Sequence, residues 1–181
     1  MPKFHRFKNM DLRKQLLKEH SKENTAEIVS HIQRHPIAIE ELMDIFLNET
    51  YRLIQRSAWV VGDLGRSNPE WIRPYIPQMM EHLKKPALHV AVKRNTMRYF
   101  QEVEVEEQYW GDLLDIALRL LSSKEEPVAV KVFSMTVAFN IIKNIPELQD
   151  ELRIIIEDQL PYGTPGFKSR GKKTISALNK L

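Results

Sequence analysis

The sequence predicts an all-α protein built from repeated pairs of helices, and two observations carry this prediction. Apolar residues recur at spacings of three and four along most of the chain, as they do on one face of a helix. The tetrapeptide VAVK occurs twice, at residues 90–93 and 128–131, so the two copies begin 38 positions apart. A period near 40 residues with two helices in each unit is typical of an α-solenoid.

The first helix of each unit carries a wide apolar stripe that repeats at the same interval. One stripe runs from Trp71 to Leu83 and the next runs from Trp110 to Leu121. A stripe of this width buries one face of a helix against its neighbours. The last unit repeats it with Leu148, Leu152, Ile155 and Ile156, and the first unit has a weaker version with Ala38, Leu42 and Ile45.

The second helices also align, without gaps for the first three units and after one deletion for the last. One aligned column contains only small residues, which let a neighbouring helix approach closely. We therefore predict that this column is buried at a helix–helix contact, and that the column after it belongs to the core. The small column consists of Ala58, Thr96, Ser134 and Gly171, and the core column includes Trp59, Met97 and Met135.

Helix breakers divide the chain into units. We predict four helical hairpins at roughly 36–66, 69–103, 107–144 and 146–181, preceded by one or two capping helices within residues 1–35, all in one domain spanning 1–181. Ser21 or Asn24 would cap the helix near 23–34, since short polar side chains accept from free backbone N–H groups. Prolines mark the expected helix starts at Pro36, Pro69, Pro86, Pro127, Pro146 and Pro165, with Asn68 and Thr164 as further caps.

This pattern resembles the HEAT-repeat family. The matching features are a first helix led by proline or acidic residues and a second helix with an apolar residue and lysine at 92–93, 130–131 and 167–168, followed three positions later by the small residue. The resemblance implies a right-handed α-α superhelix. It also implies a non-enzymatic scaffold that holds protein partners on the face formed by the second helices.

Composition sets further limits on the class of protein. Of the 181 residues 43% are hydrophobic and 28% are charged, as in ordinary soluble proteins. The absence of cysteine excludes disulfides and thiolate metal sites and is typical of a reducing compartment. No secretory signal and no long apolar run is present, so we expect a cytoplasmic protein without a membrane partner.

Positive charge is concentrated at the two ends of the chain. Residues 1–20 contain six Lys/Arg and two acids, residues 161–181 contain five and none, and the segment between them carries a net charge of −6. Two explanations are open for this distribution. The basic termini are solvated, or they form a positive patch that meets an acidic partner or phosphates.

The strongest functional lead in the sequence is a basic ladder on the second helices. Its rungs should stack across successive repeats, and stacked like charges require a counter-charge. This counter-charge has three candidate sources, which are internal acids such as Asp63, Glu102 and Asp112, an acidic protein partner, or a nucleic acid. The ladder consists of Lys93, Lys131 and Lys168, with Arg56, Arg94 and Arg170 beside them.

A second lead is the segment SAWVVGDLGRSNPEW, which contains Trp59, Asp63 and Arg66. It is similar to a segment of the DNA alkylation-repair branch of HEAT-like proteins. That resemblance implies that these three residues hold nucleic acid on a concave face, which is the alternative to the scaffold function.

Other constellations in the sequence favour structural roles. His31 and His35 lie one helical turn apart and Glu40 and Glu41 follow shortly, but Pro36 ends the helix at once and no Glu lies between the two His as in a HExxH zinc motif. The run EVEVEEQYWGD lies in a loop between repeats, where its acids suit the start of the next helix. We expect no metal site, no cofactor and no catalytic residues, although a homo-oligomer is plausible because the ends of a repeat array must cover their apolar faces.

Overall fold

The computed structural model describes residues 10–181, and that part of the chain is helical without strands. Three short 3-10 turns lead into longer helices at Arg73–Tyr75, Glu107–Tyr109 and Pro146–Leu148. The α-helices are α1 (Leu12–Lys18), α2 (Lys22–Arg34), α3 (Ala38–Asn48), α4 (Tyr51–Ser67), α5 (Pro69–Ile72), α6 (Ile76–Lys84), α7 (Val90–Phe100), α8 (Trp110–Ser122), α9 (Val128–Ile142), α10 (Gln149–Gln159) and α11 (Pro165–Leu178).

The helices form two rows, as an α-solenoid requires. The inner row consists of α2, α4, α7, α9 and α11, each packed on the next, and the outer row consists of α3, α6, α8 and α10. Contacts along the inner row are more extensive than contacts along the outer row, so the inner helices lie closer together. The four predicted hairpins are confirmed as α3–α4, α5–α7, α8–α9 and α10–α11.

The small column explains how the helices approach so closely. Ala58, Thr96, Ser134 and Gly171 are all buried, as predicted. A Cβ atom on Gly171 would lie 3.0 Å from Cγ2 of Ile156, which is tighter than ordinary van der Waals contact. Side chains larger than these would push the helices apart.

The N-terminal helices are joined to the repeats as a further pair. Helix α2 occupies the inner row beside α4, while α1 packs against α2, α3 and α4. Arg13 on α1 donates to Glu41 at 2.9 Å, to Asp44 at 3.2 Å and to Glu49 at 2.9 Å. One guanidinium therefore ties α1 to helix α3 and to the residue that ends it.

Several of the predicted helix starts are confirmed, and two of them have side-chain caps. Ser21 accepts from the backbone N–H of Asn24 at 3.1 Å, and Thr164 accepts from that of Phe167 at 3.3 Å. Asn68 does not cap with its side chain, which instead accepts from Gln33. Pro86 does not begin a helix either, because it lies in the turn between α6 and α7.

Ser134 provides a test of the packing because its hydroxyl group is fully buried and has no hydrogen-bond partner among residues 10–181. Ser134→Ala should raise the free energy of unfolding by up to about 1 kcal/mol, since it removes an unsatisfied polar group. Ser134→Leu should lower it by about 1–3 kcal/mol by overpacking the same site. Denaturant unfolding measures both changes, and equal stability of the two variants would contradict the packing described here.

A second prediction concerns His82 on α6, which is 6% exposed and whose Nδ1 atom has no hydrogen-bond partner in the part of the chain that the structure describes. Burial, and to a smaller extent Lys85, lowers the pKa of His82 below its ordinary value of 6.5. The unfolded chain then binds more protons than the folded chain as the pH falls below about 6.5, so stability decreases. His82→Leu should make melting temperature less dependent on pH between about 6.5 and 5; an unchanged dependence would contradict this.

Candidate binding groove on the inner helices

A groove of about 700 Å³ crosses the inner row between its N-terminal and central helices. Helices α2, α4, α7 and α9 all contribute to its walls, so the solenoid must be folded for the groove to exist. It brings together the three residues of the alkylation-repair-like segment and one arginine of the basic ladder. The charged and aromatic residues that line it are Lys22, Trp59, Asp63, Arg66, Arg94, Arg98 and Phe133.

Two half-buried aromatic side chains, Trp59 and Phe133, form the apolar part of the groove. The prediction that Trp59 lies in the core with Met97 and Met135 is wrong, because only the two methionines are fully buried. His20, which follows α1, lies against the indole instead, with the ring centroids 4.4 Å apart. Trp59 therefore lies at the rim of the inner row, where one side of it remains accessible.

The charged part of the groove is predominantly positive. Asp63 provides its one carboxylate and forms an ion pair with Arg66, one turn further along α4. Arg94 and Arg98 lie on the same face of α7, four residues apart. Neither these two arginines nor Lys22 makes a side-chain hydrogen bond or an ion pair within the described residues, so no partner from residues 10–181 compensates their positive charges.

The α4–α7 contact beneath Arg98 depends on a glycine that sequence reasoning did not identify. A Cβ on Gly62 would lie 2.9 Å from Oδ1 of Asn95 and 3.9 Å from Nη1 of Arg98. Asn95 is only 1% exposed, and its side-chain amide donates to the backbone oxygen of Ala91 at 2.8 Å. Gly62 thus lets α4 meet a fixed Asn95 and leaves room for Arg98 above the contact.

Most of the predicted basic ladder has internal partners. Lys93 forms an ion pair with Glu126, and Lys131 donates to Oε1 of Gln159 at 2.7 Å. Burial lowers the pKa of Lys131, and Glu126 opposes that shift. Arg56 donates to the backbone oxygen of Leu16 at 2.7 Å, and Arg170 forms a hydrogen bond with Thr136. Lys168 is half-buried, and Arg94 lines the groove.

The internal counter-charge is not among the three acids that the sequence suggested. Asp63 pairs with Arg66, Asp112 accepts from Lys84 at 2.8 Å, and Glu102 accepts from Gln101. Glu126, the partner of Lys93, lies two residues before the start of the second VAVK copy at Val128. Its separation of 33 residues from Lys93 is close to the repeat period, which is the signal that could have identified it.

The other sequence candidates form no comparable site. The rings of His31 and His35 lie 4.8 Å apart, and burial is the main reason why the pKa of His31 is lowered. Residues 10–181 contain no group of three or more His, Asp or Glu side chains with the spacing of a metal site. The acids at 102, 104, 106 and 107 are exposed in the loop before α8.

The two rows of helices and the basic groove on the inner row define an α-solenoid with a recessed, predominantly positive face. A family model for the HEAT repeat domain matches residues 12–178, and the chain belongs to that family. HEAT repeats generally mediate protein–protein interactions. Searches of curated proteins and of solved structures found no significant match. Among the described helices, none has the length and apolar character needed to cross a membrane.

The Lys93–Glu126 pair gives a prediction that separates a structural role from a binding role. The side chains are 22% and 9% exposed, so an unpaired charge would remain largely buried there. Lys93→Glu should lower the free energy of unfolding by about 3 kcal/mol. The double exchange Lys93→Glu/Glu126→Lys should recover part of that loss in denaturant unfolding, and a stable single variant would show that the pair is not structural.

Proposed function

We propose that this chain is a non-enzymatic protein-binding module whose inner groove holds an acidic segment of a partner protein. The observation that carries the proposal is the uncompensated positive charge of Arg94 and Arg98. Both arginines are half-buried, and partial removal of a charge from water is unfavourable unless another group compensates it. A bound anionic partner would supply that compensation.

A comparison with other half-buried cations supports this interpretation. Among residues 10–181, nine Lys and Arg side chains are half-buried. Six of them bond to other groups of the chain, as Arg13 does to three acids and Arg56 does to a backbone oxygen. The six are Arg13, Arg56, Lys93, Lys131, Arg153 and Arg170, whereas Arg94, Arg98 and Lys168 are without such bonds.

The aromatic side chains of the groove favour a protein partner with apolar as well as acidic groups. Trp59 and Phe133 are half-buried in the free chain and would become fully buried beneath a bound segment. Aromatic residues and arginine are the types that contribute most to the binding energy of protein interfaces. A segment that alternates acidic and apolar side chains would match both parts of the groove.

A second candidate function is nucleic-acid binding, and one observation favours it. Trp59, Asp63 and Arg66 lie in the same groove as Arg94 and Arg98, so an aromatic platform adjoins several cations. Two features weigh against it: the net charge of −6 in residues 21–160, and the pairing of Arg66 with Asp63. The two candidates differ in salt dependence, because phosphate contacts make nucleic-acid binding fall steeply with salt.

The proposal is tested with the full chain and short fluorescein-labelled peptides that alternate glutamate with aromatic residues. Arg94→Glu/Arg98→Glu should abolish binding at about 0.15 M salt, while the melting temperature changes little. The matched control is Lys172→Glu/Lys173→Glu, which makes the same charge change on exposed residues of α11 and should bind normally.

Two outcomes would contradict the proposal. Equal loss of binding in the groove variant and in the control would indicate a general charge effect rather than a groove. Retention of single-stranded or duplex DNA at about 0.15 M salt, with no binding of the acidic peptides, would favour the nucleic-acid candidate.

A further inference from the structure

The geometry points to a subsite for a phosphorylated side chain at Arg94 and Arg98, where a protein partner would anchor its bound segment. This inference rests on the proposed protein-binding function and specifies the chemical group that the groove recognises. Hydrogen-bond donors, positive charge and an aromatic surface meet in this groove.

Arg94 and Arg98 bring several hydrogen-bond donors into the groove. Each guanidinium carries five N–H donors and no acceptor, and neither Arg94 nor Arg98 uses its side-chain donors within the described residues. The two side chains lie one turn apart on the same face of α7 and line the same groove. A phosphoryl group presents three acceptor oxygens in one place, whereas a carboxylate presents two, and arginine binds phosphate in a bidentate manner.

The balance of charge also favours a dianion. Lys22, the first residue of α2, lines the groove and makes no ion pair. The carboxylate of Asp63 is already paired with Arg66, so it does not neutralise the other three cations. A single carboxylate would leave most of this charge uncompensated, while a phosphate monoester carries a charge of about −1.5 to −2 at neutral pH.

The aromatic surface favours a phosphate carried on a side chain with an aromatic or apolar stem. Trp59 and Phe133 line the same groove as the arginines, and a volume of about 700 Å³ accommodates a ring and its phosphate together. Trp59 also lies against His20, with the ring centroids 4.4 Å apart.

Two other grooves of the described chain lack this combination. In the groove of about 490 Å³ between α9 and α11, the amine of Lys131 is occupied by Gln159. The groove of about 610 Å³ between α3 and α6 is lined by Glu40, Asp44 and Glu81, which repel an anion.

The experiment compares three peptides that differ only at one central residue, which is phosphotyrosine, tyrosine or glutamate, in an otherwise identical acidic and apolar sequence. Titration of the full chain should show that the phosphotyrosine peptide binds at least about tenfold more tightly than the other two. The intensity of Trp59 fluorescence should change with it, and Trp59→Phe identifies that part of the emission.

Arg94→Gln/Arg98→Gln should remove the preference for phosphate, and Lys172→Gln/Lys173→Gln should keep it. If the double variant does not fold, Arg94→Gln and Arg98→Gln are measured singly, and each should reduce the preference. Phenyl phosphate at low salt should compete with the phosphopeptide, whereas benzoate at the same concentration should not.

The possible results distinguish this inference from the function on which it rests. Equal affinity for the phosphotyrosine and glutamate peptides would overturn the phosphate subsite and leave the protein-binding function standing. Failure of all three peptides to bind would overturn both. Tighter binding of a single-stranded oligonucleotide than of the phosphopeptide would also overturn the inference, because the phosphate would then come from nucleic acid.

Discussion

The close approach of the inner helices is the constraint on which the rest of the structure depends. It is most evident where α4 meets α7, because a Cβ on Gly62 would lie 2.9 Å from Oδ1 of Asn95. Gly65 repeats this requirement one turn further along α4, where a Cβ would lie 2.7 Å from Cδ2 of Tyr99. The groove is a consequence of this packing, since its walls come from helices that are separate in sequence but adjacent in the inner row.

The cations of the inner helices divide into two groups with different roles. Lys93 and Lys131 bridge successive units by bonding Glu126 and Gln159, so they stabilise the array. Arg94 follows Lys93 in the chain, but it lines the groove and bonds to no other side chain of residues 10–181. One residue along a helix changes direction by about 100°, which is sufficient to move a charge from a contact between units to the open face.

The period of the sequence predicted the fold because one packing problem recurs every 38 residues. It predicted the burial of Ser134 and the approximate bounds of the hairpins for the same reason. The period did not predict the groove. Trp59 comes directly after the buried small column in the alignment, and that position indicates a core residue. Its exposed side depends on where His20 and α2 lie, and these precede the clear repeats. Nor did it predict Arg98, which belongs to no repeated column.

Arg94 and Arg98 are proposed to serve binding rather than folding, and the stability of Arg94→Met/Arg98→Met distinguishes the two roles. Methionine keeps the helix and the apolar stem but removes the charge. Denaturant unfolding should give a free energy equal to or higher than that of the native chain, because neither half-buried cation has a partner among residues 10–181. A decrease of more than about 1 kcal/mol would show instead that the two arginines hold the fold together.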